Sequence, residues 1–255
     1  MPYHPPYFKE AYLKIERAGE HIEEFDAYAL KVFKGKFAPY MVTSDIDSAG
    51  EYAMKYFADD EIVGRFAIIC GDVVHSLGTA LDYAWYELTA KDSIDKDWAI
   101  KFPIYPTRKL LENFIETRKK QQSIVSLGGK LLNTIQPYKG GNAVGDRLYA
   151  LHQLDRRDKH RLLIPQVQVS HVPEVGADDR TIENTRAIYG NTLINTYGAK
   201  DKNQGELTAS IIFGEGAVPV EGKPVREMLD GFHTAVRATL MILEPFAGPV
   251  TAPRN

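Results

Sequence analysis

Cysteine is nearly absent: Cys70 is the only one in 255 residues. One thiol allows no intrachain disulfide and no cysteine-based zinc site within the chain. That fits a reducing compartment, and a cytoplasmic protein is expected. An excess of either charge is also missing. Lys and Arg number 31 against 34 Asp and Glu, giving a net charge of −3 and a pI near 6.2. The chain therefore carries no global electrostatic footprint for nucleic acid, and nucleic acid is not expected as a partner. No run approaches the ~20 apolar residues of a membrane span, so no membrane association is expected. Met1-Pro2-Tyr3-His4-Pro5-Pro6 lacks a basic region followed by an apolar run, so no signal peptide is expected. Repeats and low-complexity tracts are missing as well. Gly128-Gly129 and Gly140-Gly141 lack the P-loop and dinucleotide patterns. Ser76 has no Gly-x-Ser-x-Gly around it, which argues against a serine hydrolase. No His-Glu-x-x-His is present, and neither a metal nor another cofactor is expected.

What is present is ordinary for a globular chain: 44% hydrophobic and 25% charged residues, at a length that can bury a sizeable core. Ala11, Ile15, Ala18, Ile22, Phe25, Ala29 and Val32 step 4-3-4-3-4-3, a heptad seam on one long helix over 7–35. Phe66, Cys70, Val73, Leu77, Ala80, Ala84 and Leu88 give a second helix at 60–91 the same period. Between them the period changes, and a β-hairpin is expected at 37–57. Shorter helices are expected at 107–120 and 123–135, with a further one from about Ala143. Strand patterns then follow at Leu163–Ser170, Thr185–Tyr189, Thr192–Tyr197 and Glu206–Phe213, before a last helix at 223–244. The expected fold class is α+β, a single domain over 1–255. It comprises a helical body at about 7–161 with paired long helices and the inserted hairpin. A small, mostly antiparallel C-terminal sheet at about 162–215 and the terminal helix complete it.

Polar chemistry is concentrated in two places. The helix at 60–91 has no Lys, Arg or Glu between Phe66 and Tyr86. Opposite its seam lie Ile68, Gly71, Asp72, His75, Thr79, Asp82 and Tyr86, short polar groups and aromatics where a surface helix carries long charged chains. The spacing predicts a helix covered on both sides, with Asp72, His75 and Asp82 partly inside and in need of partners. The second place is Leu151-His152-Gln153-Leu154-Asp155-Arg156-Arg157-Asp158-Lys159-His160-Arg161. Continuing the inward face of Val144, Leu148 and Leu151 puts Asp155 where a core leucine would be expected. The two segments are expected to meet, with the acids satisfied by Arg, Lys or His groups.

These residues also carry a resemblance. Gly71, Asp72, His75, Leu77, Ala80, Leu81 and Asp82, then Leu151, Leu154, Asp158, Lys159, His160 and Arg161, match the motifs of a widespread bacterial family of uncharacterised proteins. Its members carry Gly-Asp-x-x-His-Asn-Leu-Arg-Ser-Ala-Leu-Asp-His on a helix and later Leu-x-x-Leu-x-x-x-Asp-Lys-His-Arg. Phe102-Pro103-Ile104 and Gln136-Pro137-Tyr138 fit too, so the likeness spans roughly residues 10–165. It brings no established activity. Ser76, Gly78 and Tyr83 stand where the family has Asn, Arg and His. That Arg and His form an Arg-x4-His pattern similar to the signature of HEPN-type ribonucleases, and both its ends are missing here. Arg147 with His152 and Arg226 with His233 offer related spacings, of which about one is expected by chance in such a chain.

Three functional expectations follow. The first is a binding or interaction protein whose Asp/His/Arg network, buried between helix 60–91 and segment 143–161, is mainly architectural. The second is a small-molecule enzyme or sensor using Asp72, His75, Asp82, Asp155 and His160 as a polar pocket. In it His75 or His160 is the acid/base, held by a carboxylate that fixes its tautomer. The third is a HEPN-like, RNA-acting nuclease. A small-molecule ligand is one expected partner. The heptad seams serve packing either within the chain or between two copies, so a homodimer is another.

Overall fold

The computed structural model describes residues 7–34, 40–46, 52–58, 60–89, 100–158, 165–172, 185–186, 193–197 and 206–247. Helices account for most of them. They are α1 Lys9–Lys34, α2 Asp60–Thr89, α3 Arg108–Thr117, α4 Gln122–Lys130, α5 Ala143–Asp158 and α6 Val225–Leu243. Strands β1 Tyr40–Ile46 and β2 Tyr52–Ala58 fall between α1 and α2 in the chain. Strands β3 Pro165–Val172, β4 Thr185–Arg186, β5 Leu193–Tyr197 and β6 Glu206–Phe213 fall between α5 and α6. The chain divides into two compact units. One comprises Met1–Ile22, Cys70–Arg161 and Leu229–Asn255, the other Glu23–Ile69 and Leu162–Met228.

The first unit is helical, and its apolar spacings explain why. Ala11, Ile15, Ala18 and Ile22 of α1 are buried, as the heptad pattern predicts. So are Cys70, Val73, Leu77, Ala80, Ala84 and Leu88 of α2, and Leu229, Phe232, Val236, Leu240 and Leu243 of α6. Each fully buried large apolar side chain stabilises the fold by about 1.5–3 kcal/mol. Trp85 is fully buried, with the Phe102 ring edge-on at 5.7 Å and Phe114 of α3 at 6.4 Å. Burial pushes the Cys70 thiol well above its ordinary pKa, and the nearby Asp158 charge adds to this, so Cys70 is an inert core thiol. By length and composition, Glu61–Thr89 is apolar enough to cross a membrane, a property the sequence expectation did not include. Its seam is nonetheless buried within the protein, as in the core helix of a folded body.

The launch of α5 is fixed by a chain of specific contacts. A single helix is expected over 123–135, but α4 passes into a π-helical turn at Leu131–Ile135. Gln136 then adopts a left-handed conformation (φ 55°). Its side-chain Oε1 accepts from the Asn142 N–H at 3.0 Å. Asn142 Nδ2 donates to the Thr134 carbonyl at 2.7 Å, and its Oδ1 accepts from the Gly145 N–H at 2.9 Å, capping the helix. Gly145 must lack a side chain, since a Cβ there would stand 1.8 Å from the Gln136 carbonyl oxygen.

In the second unit, Phe25 and Tyr28 of α1 tilt against Phe66 of α2 with ring centroids at 4.9 and 4.8 Å. Arg65 lies over the Tyr28 ring at 4.9 Å and approaches Glu24 at 3.8 Å. The strands pair antiparallel in two sets of three, β1-β2-β5 and β4-β3-β6. This corrects the expectation of an inserted hairpin beside a self-contained C-terminal sheet. β5 leaves the other late strands and pairs with β2, with Met54 opposite Asn195. The β1–β2 connection at 47–51 lies outside the described residues. Alternation marks a strand but not its neighbour, because partner choice depends on contacts distant in sequence.

Candidate functional site

The two polar segments meet within the helical unit. His75 Nδ1 of α2 lies 3.4 Å from Asp155 Oδ1 of α5. At that length the contact is a weak hydrogen bond. With Nδ1 turned to a carboxylate, Nε2 is the imidazole nitrogen left for proton exchange. The Asp155 side chain is 15% exposed and the imidazole 56%. Two glycines of α2 explain how acids of α5 come so close. The Asp158 carboxylate lies on Gly71, where a Cβ would meet both oxygens at 2.8 Å. Asp155 lies over Gly78, where a Cβ would stand 3.5 Å from its Cγ. Thr79 Oγ1 donates to the His75 carbonyl at 2.8 Å and so keeps its own side chain folded back on the helix.

The other expected site residues fall elsewhere. Asp72 is exposed rather than inside. Asp82 is half-buried, and its Oδ1 accepts from the Phe102 N–H at 2.9 Å. It thereby holds Phe102 against Trp85. His160 and Lys159 lie outside the described residues. His152 is half-buried on α5. Among the described residues no group of three His, Cys, Asp or Glu side chains could hold a metal ion.

The expectation that α2 is covered on both sides is overturned. Ile68, Asp72, His75, Tyr83 and Tyr86 are all exposed, the two tyrosines at 46% and 42%. At 100° per residue, Ile68, Asp72, His75, Tyr83 and Tyr86 all lie within about 40° of Thr79. Beyond the aliphatic Ile68 they form one stripe of small polar and aromatic side chains. Absence of Lys and Glu marks a surface that water does not select for, and a buried face and an interaction face share that mark. The glycine notches were also missed, although glycine in mid-helix costs about 1 kcal/mol relative to alanine and so calls for a packing reason.

The Arg/His pairs of the nuclease expectation are engaged otherwise. Arg226 Nε pairs with Asp26 Oδ1 at 2.7 Å. His233 is half-buried; burial lowers its pKa, partly opposed by a hydrogen bond with the Ile15 backbone. Its Nε2 sits 3.8 Å from where a Cβ would stand on Gly19. The Arg147 side chain lies over Gly231, its Nε 3.1 Å from the corresponding position.

No family model, no curated protein and no solved structure matches the chain.

Proposed function

We propose that the protein is an interaction module that binds another protein through the open stripe of α2, with the His75–Asp155 contact at its edge. One observation carries this reading. A helix face bearing exposed Asp72, His75, Tyr83 and Tyr86 around a half-buried Thr79 is open, yet no Lys, Arg or Glu occurs from Phe66 to Tyr86. Tyrosine-rich surfaces depleted of Lys and Glu are what protein interfaces are made of. The proposal includes a cytoplasmic setting, an α+β architecture and kinship with the uncharacterised bacterial family. It also takes the acids of α5 as chiefly architectural, part of an ion-pair network with α2.

Thiol labelling tests this reading. Thr79→Cys puts a reactive group in the middle of the stripe, and the native Cys70 is buried and silent. The variant should react quickly with a maleimide as dilute purified protein and slowly inside the cells that naturally make it. Equal rates in both settings would refute the reading.

A second reading rests on the His75–Asp155 hydrogen bond itself. A carboxylate that orients an imidazole is the arrangement of a general acid/base, here serving a small-molecule enzyme or sensor. Its test is a thermal-shift screen against metals, nucleotides and metabolites. His75→Ala and Asp155→Asn should each abolish a ligand response while leaving the fold intact.

A further inference from the structure

We infer that the occupant of the α2 stripe is a second copy of this chain, docked antiparallel about a two-fold axis that passes at Thr79. The inference rests on the interaction reading above and names the partner for it. Its basis is the self-complementarity of the stripe. In an antiparallel helix pair centred on residue 79, position 72 shares a layer with position 86 of the second copy, and position 75 with position 83. Asp72 is therefore set beside Tyr86 of the second copy, a carboxylate acceptor beside a phenol donor. His75 is set beside Tyr83 of the second copy, and Thr79 meets its own image. A two-fold interface uses the same patch on both subunits, so every donor–acceptor match occurs twice. The spacing 72, 75, 79, 83, 86 is that of a helix-pairing seam, and the small Thr79 at the crossing point permits close approach. No long cation or Glu lies on the stripe to oppose its copy. Pairing also completes the polar site, because Tyr83 of the second copy closes over an imidazole that is 56% exposed in the single chain.

The stripe from 72 to 86 is only about 21 Å long. One helix face of that length falls short of the roughly 800 Å² per partner typical of a stable complex. The pairing is therefore weak and depends on concentration, with a Kd of about 10–100 µM.

Sedimentation of the full chain from ~1 to ~200 µM spans that range and tests the inference. The wild type should pass from monomer to dimer. Thr79→Arg sets two like charges together on the axis and should leave it monomeric at every concentration, with an unchanged far-UV CD spectrum. Tyr86→Ala should weaken the dimer at least tenfold. Independently of either, Thr79→Cys should be joined into a covalent dimer by a short bis-maleimide, and Val125→Cys, which is exposed on α4, should not. A wild type that stays monomeric throughout overturns the inference. So does a dimer indifferent to Thr79→Arg and Tyr86→Ala, or equal cross-linking at positions 79 and 125. A purified monomer whose Thr79→Cys is nevertheless protected in cells removes the second copy as partner and leaves the interaction reading standing. A monomer labelled equally in both settings removes both.

Discussion

Gly71→Ala is expected to destabilise the protein in one background and stabilise it in another. A Cβ at Gly71 would lie 2.8 Å from both carboxylate oxygens of Asp158 and 3.0 Å from its Cγ. Close carbon–oxygen contacts run at about 3.3–3.6 Å, so three atoms must give way by roughly half an ångström. Overpacking of this kind costs about 1–3 kcal/mol. Replacing a mid-helix glycine by alanine returns about 1 kcal/mol. The net expectation is a loss of about 0–2 kcal/mol in the wild-type background. Asp158→Ala deletes all three clashing atoms, so adding Gly71→Ala to it should stabilise by about 1 kcal/mol. The coupling read from the double-mutant cycle is then about 1–3 kcal/mol. Urea unfolding of the four proteins at neutral pH, followed by far-UV CD, measures it. Gly78→Ala is the internal control. Its Cβ would stand at an ordinary 3.5 Å from Asp155 Cγ, so it should stabilise by about 1 kcal/mol whatever residue 158 is. If Gly71→Ala stabilises equally in both backgrounds, the carboxylate does not rest on the helix backbone and the account of how α5 meets α2 is wrong.

Three further expectations follow from the same geometry. Gly145→Ala drives a Cβ to 1.8 Å from a backbone carbonyl that cannot swing away, and should cost about 4 kcal/mol or more, seen as a collapse of Tm. Asp82→Ala leaves the Phe102 N–H without its carboxylate and should cost about 1.5–3 kcal/mol in urea unfolding, whereas Asp82→Asn keeps an acceptor and should cost less. His233 is held below its ordinary pKa of 6.5 by burial, so the unfolded chain binds the extra proton first. The stability it preserves is present above 6.5 and is lost as pH falls through the lowered folded value. His233→Gln should flatten the decline of Tm on that acid side, and an unchanged slope would refute the assignment.

The long helices were legible because their seams repeat over many turns, and a 4-3 step leaves little choice of face. Ala11 to Ile22 and Phe66 to Leu88 are buried where the pattern put them. The meeting of His75 with Asp155 was legible for a related reason. An acid standing in register with Leu148 and Leu151 must face a neighbour, and a helix without long side chains has room for one. Other features left no unambiguous trace. The lack of Lys, Arg and Glu from Phe66 to Tyr86 reads the same for a buried face as for an open one. Asp82 sits close to the His75 side of α2, but its partner is the backbone of Phe102, and main-chain donors have no sequence signature. The π turn at Leu131–Ile135 and the left-handed Gln136 arise from packing against Asn142 and Gly145, contacts that local propensity does not encode. The pairing of β5 with β2 joins positions more than a hundred residues apart in the chain.

The seating of α5 has a practical corollary for anyone wishing to remodel this chain. Two of its acids rest on residues of α2 that have no side chain, much as the teeth of a key meet the gaps in a lock. Sliding the helix by one position would bring each acid against a bulkier neighbour. The short stretch from Gln136 to Asn142 sets how far the helix is pushed in, and three side-chain hydrogen bonds hold it. Tags, loops or reporter sequences inserted there would lift both acids out together. Gly129, with nothing within 4 Å of its Cβ position, is a gentler place to add a side chain.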